Sequence, residues 1–141
     1  MTPRNAANPH ILVDTDVFSF LMKEDTRGEW FKPFLHRKSA ALSFVTIAEL
    51  YYWAYKKSWG RRSMAALESK INMYVVLPYD YSLCQSWAGV KNECEVHGFS
   101  IHQHDCWIAA SALKYDCALA TNNYNDFAHI EGITLISPGL P

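Results

Sequence analysis

The sequence predicts an α/β domain, a three-layer α/β/α sandwich around a mainly parallel sheet of five strands. Short apolar runs alternate along the chain with longer segments of helical spacing, which is typical of parallel α/β folds. The apolar runs are continuous rather than alternating, which indicates strands that are covered on both faces. With 141 residues, half of them hydrophobic, the chain is long enough to bury one core.

The predicted strands are the short apolar runs over 10–13, 40–44, 75–78, 117–121 and 133–136. The first stops at Asp14, and the third ends at Pro78, which cannot donate to a sheet ladder. Each run is too short for a buried helix of ordinary length, which favours strands.

The predicted helices lie between these strands, over 17–22, 29–37, 46–57, 61–74, 81–97 and 105–115. The second must place Pro33 in its first turn or at a kink. The third begins with the capping-box pattern Thr46-x-x-Glu49. The fifth ends before Gly98, at the position where a glycine commonly follows a helix.

Composition limits the functions that the chain can have. Thirteen Lys and Arg against fourteen Asp and Glu give a net charge of -1, so nucleic-acid binding needs a local basic patch. The four cysteines are ten to twelve residues apart without a C-x-x-C pair, which predicts small buried hydrophobes rather than disulfides or a zinc site. We expect a flexible leader over residues 1–9 and a single domain over 10–141, in the cytoplasm, with no membrane segment or secretion signal.

Acidic residues fall where ligands bind in an open parallel sheet, just beyond the carboxyl ends of the strands. Asp14 ends the first strand, Glu49 lies one turn into the helix after the second, and Asp126 follows the fourth. Asp105 opens the helix that leads into the fourth strand, so its carboxylate can point to the same edge. Such carboxylates repel one another unless a cation lies among them, and oxygen ligands suit Mg²⁺ or Mn²⁺. The pattern predicts a metal site that activates water against a phosphodiester.

Each of these acidic residues also has a purely structural interpretation. Asp14 and Asp105 can be N-caps of the helices that follow them, and Glu49 the glutamate of the capping box. Asp126 can close a turn in the Asn-rich segment 122–125. Their shared position at strand ends favours a site over four separate structural roles.

Four blocks of sequence resemble the motifs of PIN-domain ribonucleases, and most closely those of the VapC toxins of bacterial type II toxin–antitoxin pairs. The blocks occur in order from residue 11 to about 136, and together they are specific. They are Ile11-Leu12-Val13-Asp14-Thr15-Asp16-Val17, Ser43-x-x-Thr46-x-x-Glu49-Leu50, Asp105-x-x-Ile108-Ala109-Ala110-Ser111-Ala112 and Thr121-Asn122-Asn123-x-x-Asp126-Phe127.

This resemblance implies a PIN-like fold and an endoribonuclease dependent on Mg²⁺, which Mn²⁺ can replace. It implies that Asp14 and Asp105 are metal ligands and that Glu49 and Asp126 complete the acidic site. The residues expected to support them are Thr15, Asp16, Thr46, Thr121 and Asn122. The resemblance also implies a VapB-like antitoxin whose C-terminal segment covers the site, toxin dimers, and structured RNA such as tRNA as substrate.

The sequence departs from the family pattern at two places. Asp16 stands where the family usually has Asn, which keeps an oxygen ligand but adds a charge. Before Asp105 the family usually has small or apolar residues, whereas this chain has His102-Gln103-His104. We expect His102 and His104 to line the approach to the site as polar or RNA-facing side chains.

Other interpretations compete with a ribonuclease. Asp14-Thr15-Asp16-Val17 also resembles the first motif of haloacid-dehalogenase-like phosphatases, but no Lys occurs among the nineteen residues after Asn122 to bind a phosphate. His102-x-His104-Asp105 resembles metallo-β-lactamase-type hydrolases, but Cys106 replaces the next His of that pattern. A third alternative keeps the fold as a catalytically inactive module that binds RNA or protein.

A basic and aromatic stretch offers the local patch that RNA binding needs. Its cationic residues are Lys56, Lys57, Arg61 and Arg62, around Trp59-Gly60 and next to Tyr51, Tyr52, Trp53 and Tyr55. Basic side chains beside exposed rings suit a groove that binds the RNA backbone and stacks bases. The same rings suit a groove for an antitoxin helix, and an ordinary solvated helix face is the simplest alternative.

Overall fold

Five parallel strands form one sheet in the computed structural model, which describes residues 10–139. The strands are β1 (His10–Val13), β2 (Ser39–Ser43), β3 (Val75–Leu77), β4 (Ala118–Ala120) and β5 (Leu135–Ile136). Their order across the sheet is β3-β2-β1-β4-β5. The central strand β1 pairs with both neighbours, since Leu12 lies opposite Ala41 on β2 and opposite Leu119 on β4. The expected five-stranded parallel sheet is confirmed.

Eight helices surround the sheet within residues 10–139. They are α1 (Thr15–Met22), α2 (Thr26–Glu29), α3 (Lys32–Leu35), α4 (Phe44–Lys56), α5 (Arg61–Ile71), α6 (Tyr81–Val96), α7 (Gln103–Lys114) and α8 (Tyr124–Phe127). None of the helices that the structure describes is both long and apolar enough to span a bilayer. The expected leader over 1–9 lies outside the described residues.

The sheet separates two apolar clusters, as a three-layer sandwich requires. On one side, Leu12 and Leu119 pack with Ile108 of α7 and Leu83 of α6. On the other side, Val13 and its sheet neighbours pack with residues of α1, α4 and α5, among them Val17, Leu50 and Leu67. Alternate residues of β1 thus face opposite layers, which is why its apolar run is uninterrupted.

Several expectations about helix ends are wrong. The predicted helix over 29–37 is two short helices, with Pro33 in the first turn of the second, and α5 stops at Ile71 rather than 74. The capping box is absent, because Ser43 caps α4 by accepting the Val45 N–H, which leaves the Thr46 hydroxyl available to the site. Gly98 follows α6 with φ +77°, as expected for the glycine after a helix.

The cysteines are mostly small core residues. Cys94, Cys106 and Cys117 are buried, as expected, whereas Cys84 is exposed. No disulfide joins any of these cysteines.

The strand order places a crevice between β1 and β4. From β1 the chain proceeds through β2 and β3 towards one edge of the sheet, and β4 returns to the other side of β1. Ligands in open α/β sheets bind at the carboxyl ends of strands at such a reversal of strand order. Asp14 follows β1 and Thr121 follows β4, so both stand at this crevice.

Candidate active site

Asp14 is the most enclosed of the candidate carboxylates, at 5% exposure. Its Oδ1 accepts the Thr15 N–H over 2.8 Å and caps α1, so the interpretation of Asp14 as an N-cap is correct. Its Oδ2 accepts the Thr121 hydroxyl over 2.7 Å across the crevice. Burial raises the pKa of Asp14 to about 8, and the charges of Asp16 and Asp105 add to that increase.

Asp16 lies beside Asp14 in the first turn of α1. Its Oδ1 accepts the Val17 N–H over 2.7 Å, and its Oδ2 accepts the backbone N–H of Asn122 over 3.3 Å. Burial raises the pKa of Asp16 too, against the lowering effect of these hydrogen bonds. Asn122 therefore contacts the site through its backbone N–H. The sequence alone did not indicate whether its backbone or its side chain would make this contact.

Two threonine hydroxyl groups connect the Glu49 carboxylate to the starts of α1 and α4. The hydroxyl oxygens of Thr46 and Thr15 are 2.9 Å apart, and Thr15 donates to Glu49 Oε1 over 3.2 Å. On the other side, Nδ1 of His104 lies 3.6 Å from Glu49 Oε2. This carboxylate therefore connects α4 with the start of both α1 and α7.

Asp105 and Asp126 complete the group of carboxylates that the structure brings together. Burial raises the pKa of Asp105 to about 6, and the charges of Asp126 and Glu49 raise it further while His102 and His104 lower it. Asp105 is not the N-cap of α7, because His102 holds that position and leaves the Asp105 carboxylate available to the site. Asp126 is exposed in the first turn of α8 rather than in a simple turn.

These carboxylates repel one another without forming a closed ligand cage. Within residues 10–139, no three His, Cys, Asp or Glu side chains are placed so that they could hold one metal ion together. Mg²⁺ does not need such a cage, since it commonly takes one or two carboxylates and keeps several waters. Burial and neighbouring charges raise the pKa of Asp14 and of Asp105, so both carboxylates are costly to ionise, and a cation bound beside them would offset that cost. The residues present therefore fit a hydrated divalent cation.

A groove with a basic rim adjoins Asp16. It has a volume of about 610 Å³ and is lined by Asp16, Ser19, Phe20, Lys23, Trp53, Lys56 and Lys57. It shares Ser19, Lys23, Trp53 and Lys57 with a more apolar cavity of about 320 Å³, whose floor includes Phe18, Leu50 and Leu67. We call the two together the α1–α4 groove.

The structure brings only part of the predicted basic patch to this groove. Lys56 and Lys57 line it, whereas Arg61 and Arg62 are exposed on the first turn of α5 and line neither cavity. Phe20, inside the helix predicted over 17–22, and Lys23, directly after it, also line the groove, although neither is among the candidate site residues of the sequence. The signal was their spacing, since residues 16, 20 and 23 fall on one face of a helix that starts at Thr15.

The fold and this edge of the sheet agree with one known family. The model of the PIN domain matches residues 11–133, and the chain belongs to this family. The particular relatives that it resembles are VapC ribonucleases, so the expected resemblance is confirmed. The phosphatase interpretation of Asp14 and Asp16 and the metallo-β-lactamase interpretation of His102 and His104 are overturned by this match.

Curated relatives and a solved structure give the extent of the similarity. The chain is 30% identical over 89 residues to the ribonuclease VapC2 of Haemophilus influenzae, covering 63% of this chain and 67% of that protein. It is 28% identical over 122 residues to the tRNA(fMet)-specific endonuclease VapC of Salmonella typhimurium, covering 86% of this chain and 91% of that protein. The structure of VapBC-1 from nontypeable Haemophilus influenzae superposes with a TM-score of 0.81 at 25% identity, covering 91% of this chain and 97% of that one.

Proposed function

We propose that this protein is a metal-dependent endoribonuclease that acts as the toxin of a type II toxin–antitoxin pair. The observation that supports this proposal best is the buried Asp14 at the β1/β4 crevice, whose pKa is raised to about 8 by burial and by the charges of Asp16 and Asp105. A buried carboxylate beside two others lowers the stability of the fold, so such a residue indicates a function for its charge. Because the chain belongs to the PIN-domain family, we propose that this function is the hydrolysis of phosphodiester bonds.

Asp14 and Asp105 would hold Mg²⁺ or Mn²⁺, assisted by Glu49 and Asp126. Bound there, the ion would activate a water and neutralise charge on the phosphodiester. Thr121 keeps the Asp14 carboxylate turned towards the crevice through its hydrogen bond to Oδ2. The more accessible carboxylates, Glu49 and Asp126, are the groups that can take a proton from the attacking water. In-line displacement would leave a 3′-hydroxyl and a 5′-phosphate.

Structured RNA, and tRNA in particular, is the substrate that we propose. Its support is the name of the Salmonella typhimurium relative, a tRNA(fMet)-specific endonuclease, together with the lysines of the α1–α4 groove. Lys23, Lys56 and Lys57 lie at the end of the groove that reaches Asp16, where they can contact the backbone phosphates of a strand that enters the site.

The apolar part of the α1–α4 groove is our candidate docking site for a VapB-like antitoxin. Its floor contains Phe18, Leu50 and Leu67, and Trp53 and Trp59 stand at its sides. An amphipathic helix docks in a groove of this kind through apolar anchors one turn apart. The structure of the VapBC-1 complex supports such a partner, and we propose that the toxin also forms homodimers, as the family resemblance implies.

Cleavage of RNA by the purified protein tests the proposal. We expect Mg²⁺ or Mn²⁺ to support cleavage of a tRNA pool, and EDTA, Asp14→Asn and Asp105→Asn each to abolish it. Asp25→Asn is the matched control, because the same change there removes a half-buried carboxylate that pairs with Arg27 rather than with the site. Cleavage that survives EDTA or Asp14→Asn would contradict the metal site. No cleavage together with no binding of Mn²⁺ in calorimetry would indicate an inactive PIN-like module instead.

A further inference from the structure

The two histidines at the start of α7 differ in what the fold demands of them. His102 is the N-cap of this helix, and its Nδ1 accepts the backbone N–H of His104 over 3.2 Å. Its ring also packs edge to face against the ring of His104, with centroids 5.0 Å apart and planes at 86°. His102 is therefore engaged in starting the helix and in orienting its neighbour.

His104 has a ring that the fold leaves available. Its side chain is 47% exposed, while the Glu49 side chain beneath it is 18% exposed. The 3.6 Å between His104 Nδ1 and Glu49 Oε2 is longer than a hydrogen bond, so this contact does not commit the ring to Glu49. Within residues 10–139, no group is hydrogen-bonded to the other ring nitrogen, Nε2.

An RNA strand needs hydrogen-bond donors at a site whose other side chains are mainly acceptors. The carboxylates of Asp14, Asp16, Glu49, Asp105 and Asp126 can only accept when ionised, and they repel a phosphate. An imidazole carries at least one N–H whether it is neutral or protonated. His104 places such a donor within 3.6 Å of Glu49 and one residue from Asp105.

We propose that His104 is a substrate-binding residue, which donates a hydrogen bond from its imidazole to a phosphate oxygen of the RNA beside the acidic site. This inference rests on the proposed ribonuclease function and deepens it. His102 caps α7 and packs against the ring of His104. The pair thereby gives this chain a polar entrance to the site.

Steady-state cleavage and metal binding by His104→Ala, His104→Gln and His36→Ala test this proposal. We expect His104→Ala to raise the KM for RNA about tenfold, the effect of one hydrogen bond to a charged group, and to leave Mn²⁺ affinity unchanged. His104→Gln, which keeps a donor, restores most of the loss. His36→Ala is the matched control, because His36 is an exposed histidine at the end of α3 and leaves KM unchanged.

Two results would overturn this role of His104. The first is an unchanged KM in His104→Ala. The second is a loss of Mn²⁺ affinity in that variant at constant KM, which would make His104 a positioning residue for Glu49 instead. Equilibrium binding of the same RNA in EDTA separates this inference from the proposed function. If the wild-type protein binds RNA in EDTA but does not cleave it when Mg²⁺ or Mn²⁺ is supplied, the ribonuclease proposal fails, and weaker binding by His104→Ala in EDTA still supports the contact. Equal binding by the two proteins refutes the contact.

Discussion

The acidic site has a buried half and an open half, and the two are held differently. In the buried half, Asp14 is 5% exposed and accepts hydrogen bonds of 2.8 and 2.7 Å from Thr15 and Thr121. In the open half, the contacts of Glu49 are 3.2 and 3.6 Å long, and Asp126 is exposed to solvent. The buried half therefore has a fixed geometry, whereas the open half can adjust to an ion, a water or a strand.

The cost of ionising a carboxylate is also higher where the side chain is more deeply buried. Burial raises the pKa of Asp14 to about 8 and that of the less enclosed Asp105 to about 6. Asp14 is thus both the carboxylate that is most costly to ionise and the one that short hydrogen bonds hold most firmly in place. Such an arrangement is typical of groups that are kept for chemistry at the expense of stability.

The strongest test of this comparison replaces one carboxylate in each half. We expect Asp14→Asn to lower kcat for RNA cleavage roughly a thousandfold, because it removes a buried charge that stabilises the reaction. Asp126→Asn should lower kcat only about tenfold, since an exposed group can be replaced by water. Single-turnover cleavage of one tRNA measures both. Equal losses in the two variants would show that the halves do not differ.

A smaller effect is expected for the hydroxyl groups that support each half. Thr121→Val removes the donor to Asp14 Oδ2 and should weaken Mn²⁺ binding between tenfold and about a hundredfold, the usual range for a group that orients a metal ligand. Thr46→Val is isosteric in the same way and acts only through Thr15 on Glu49, so we expect a change below about threefold. Calorimetry with Mn²⁺ compares the two, and the opposite ranking would place the important ligand in the open half.

The affinity for metal should depend on pH in a defined direction. Carboxylates bind a cation only when deprotonated, so Mn²⁺ affinity should rise as the pH increases from about 6 to about 8, the pKa values of Asp105 and Asp14. Binding at pH 7 should release protons, which calorimetry in buffers of different ionisation enthalpy detects. Glu49→Gln removes a charge that helps to raise the pKa of Asp105, so it should reduce the proton release from Asp105 and keep the release from Asp14. A binding constant that is flat over this range would show that Asp14 is not a ligand.

The smallest expected effect is on the stability of the metal-free protein. Because the pKa of Asp14 is raised from 3.8 to about 8 by folding, its protonated form favours the native state. That contribution is complete below about pH 4 and is lost as the pH rises through about 8. In EDTA at about pH 9, Asp14→Asn should therefore melt several degrees above the wild-type protein, with a smaller difference at about pH 5. If the wild-type protein melts at a higher temperature than Asp14→Asn at about pH 9, the buried charge of Asp14 does not destabilise the fold, and this prediction is wrong.

The sequence was sufficient to predict the sheet and the position of Asp14 at the end of its first strand, because both follow from local rules. Uninterrupted apolar runs such as 10–13 are visible without a structure, and Asp14 directly follows one of them. The link from Thr121 to Asp14 could be anticipated only because parallel strand ends meet at one edge. Its hydrogen-bond geometry depends on the pairing of β1 with β4, which no local pattern encodes.

The open half and the groove were harder to predict, because helix ends decide them. The capping-box pattern assigned Thr46 and Glu49 to a helix start, but Ser43 caps α4 and Thr46 bonds to Thr15 instead. In the same way, Asp105 was a reasonable N-cap until His102 proved to hold that position. Shifts of two or three residues in a helix start redirected these side chains, and such shifts depend on tertiary contacts.

The bond between Thr121 and Asp14 joins residues that are 107 positions apart, and it has a consequence for biosynthesis. While the ribosome is still translating the middle of the chain, Asp14 has no β4 beside it and no Thr121 to orient its carboxylate. Domains acquire their distant pairings only after both segments have been made. A nascent chain that stalls before Ala118 therefore carries Asp14, Glu49 and Asp105 while the crevice between β1 and β4 is not yet formed.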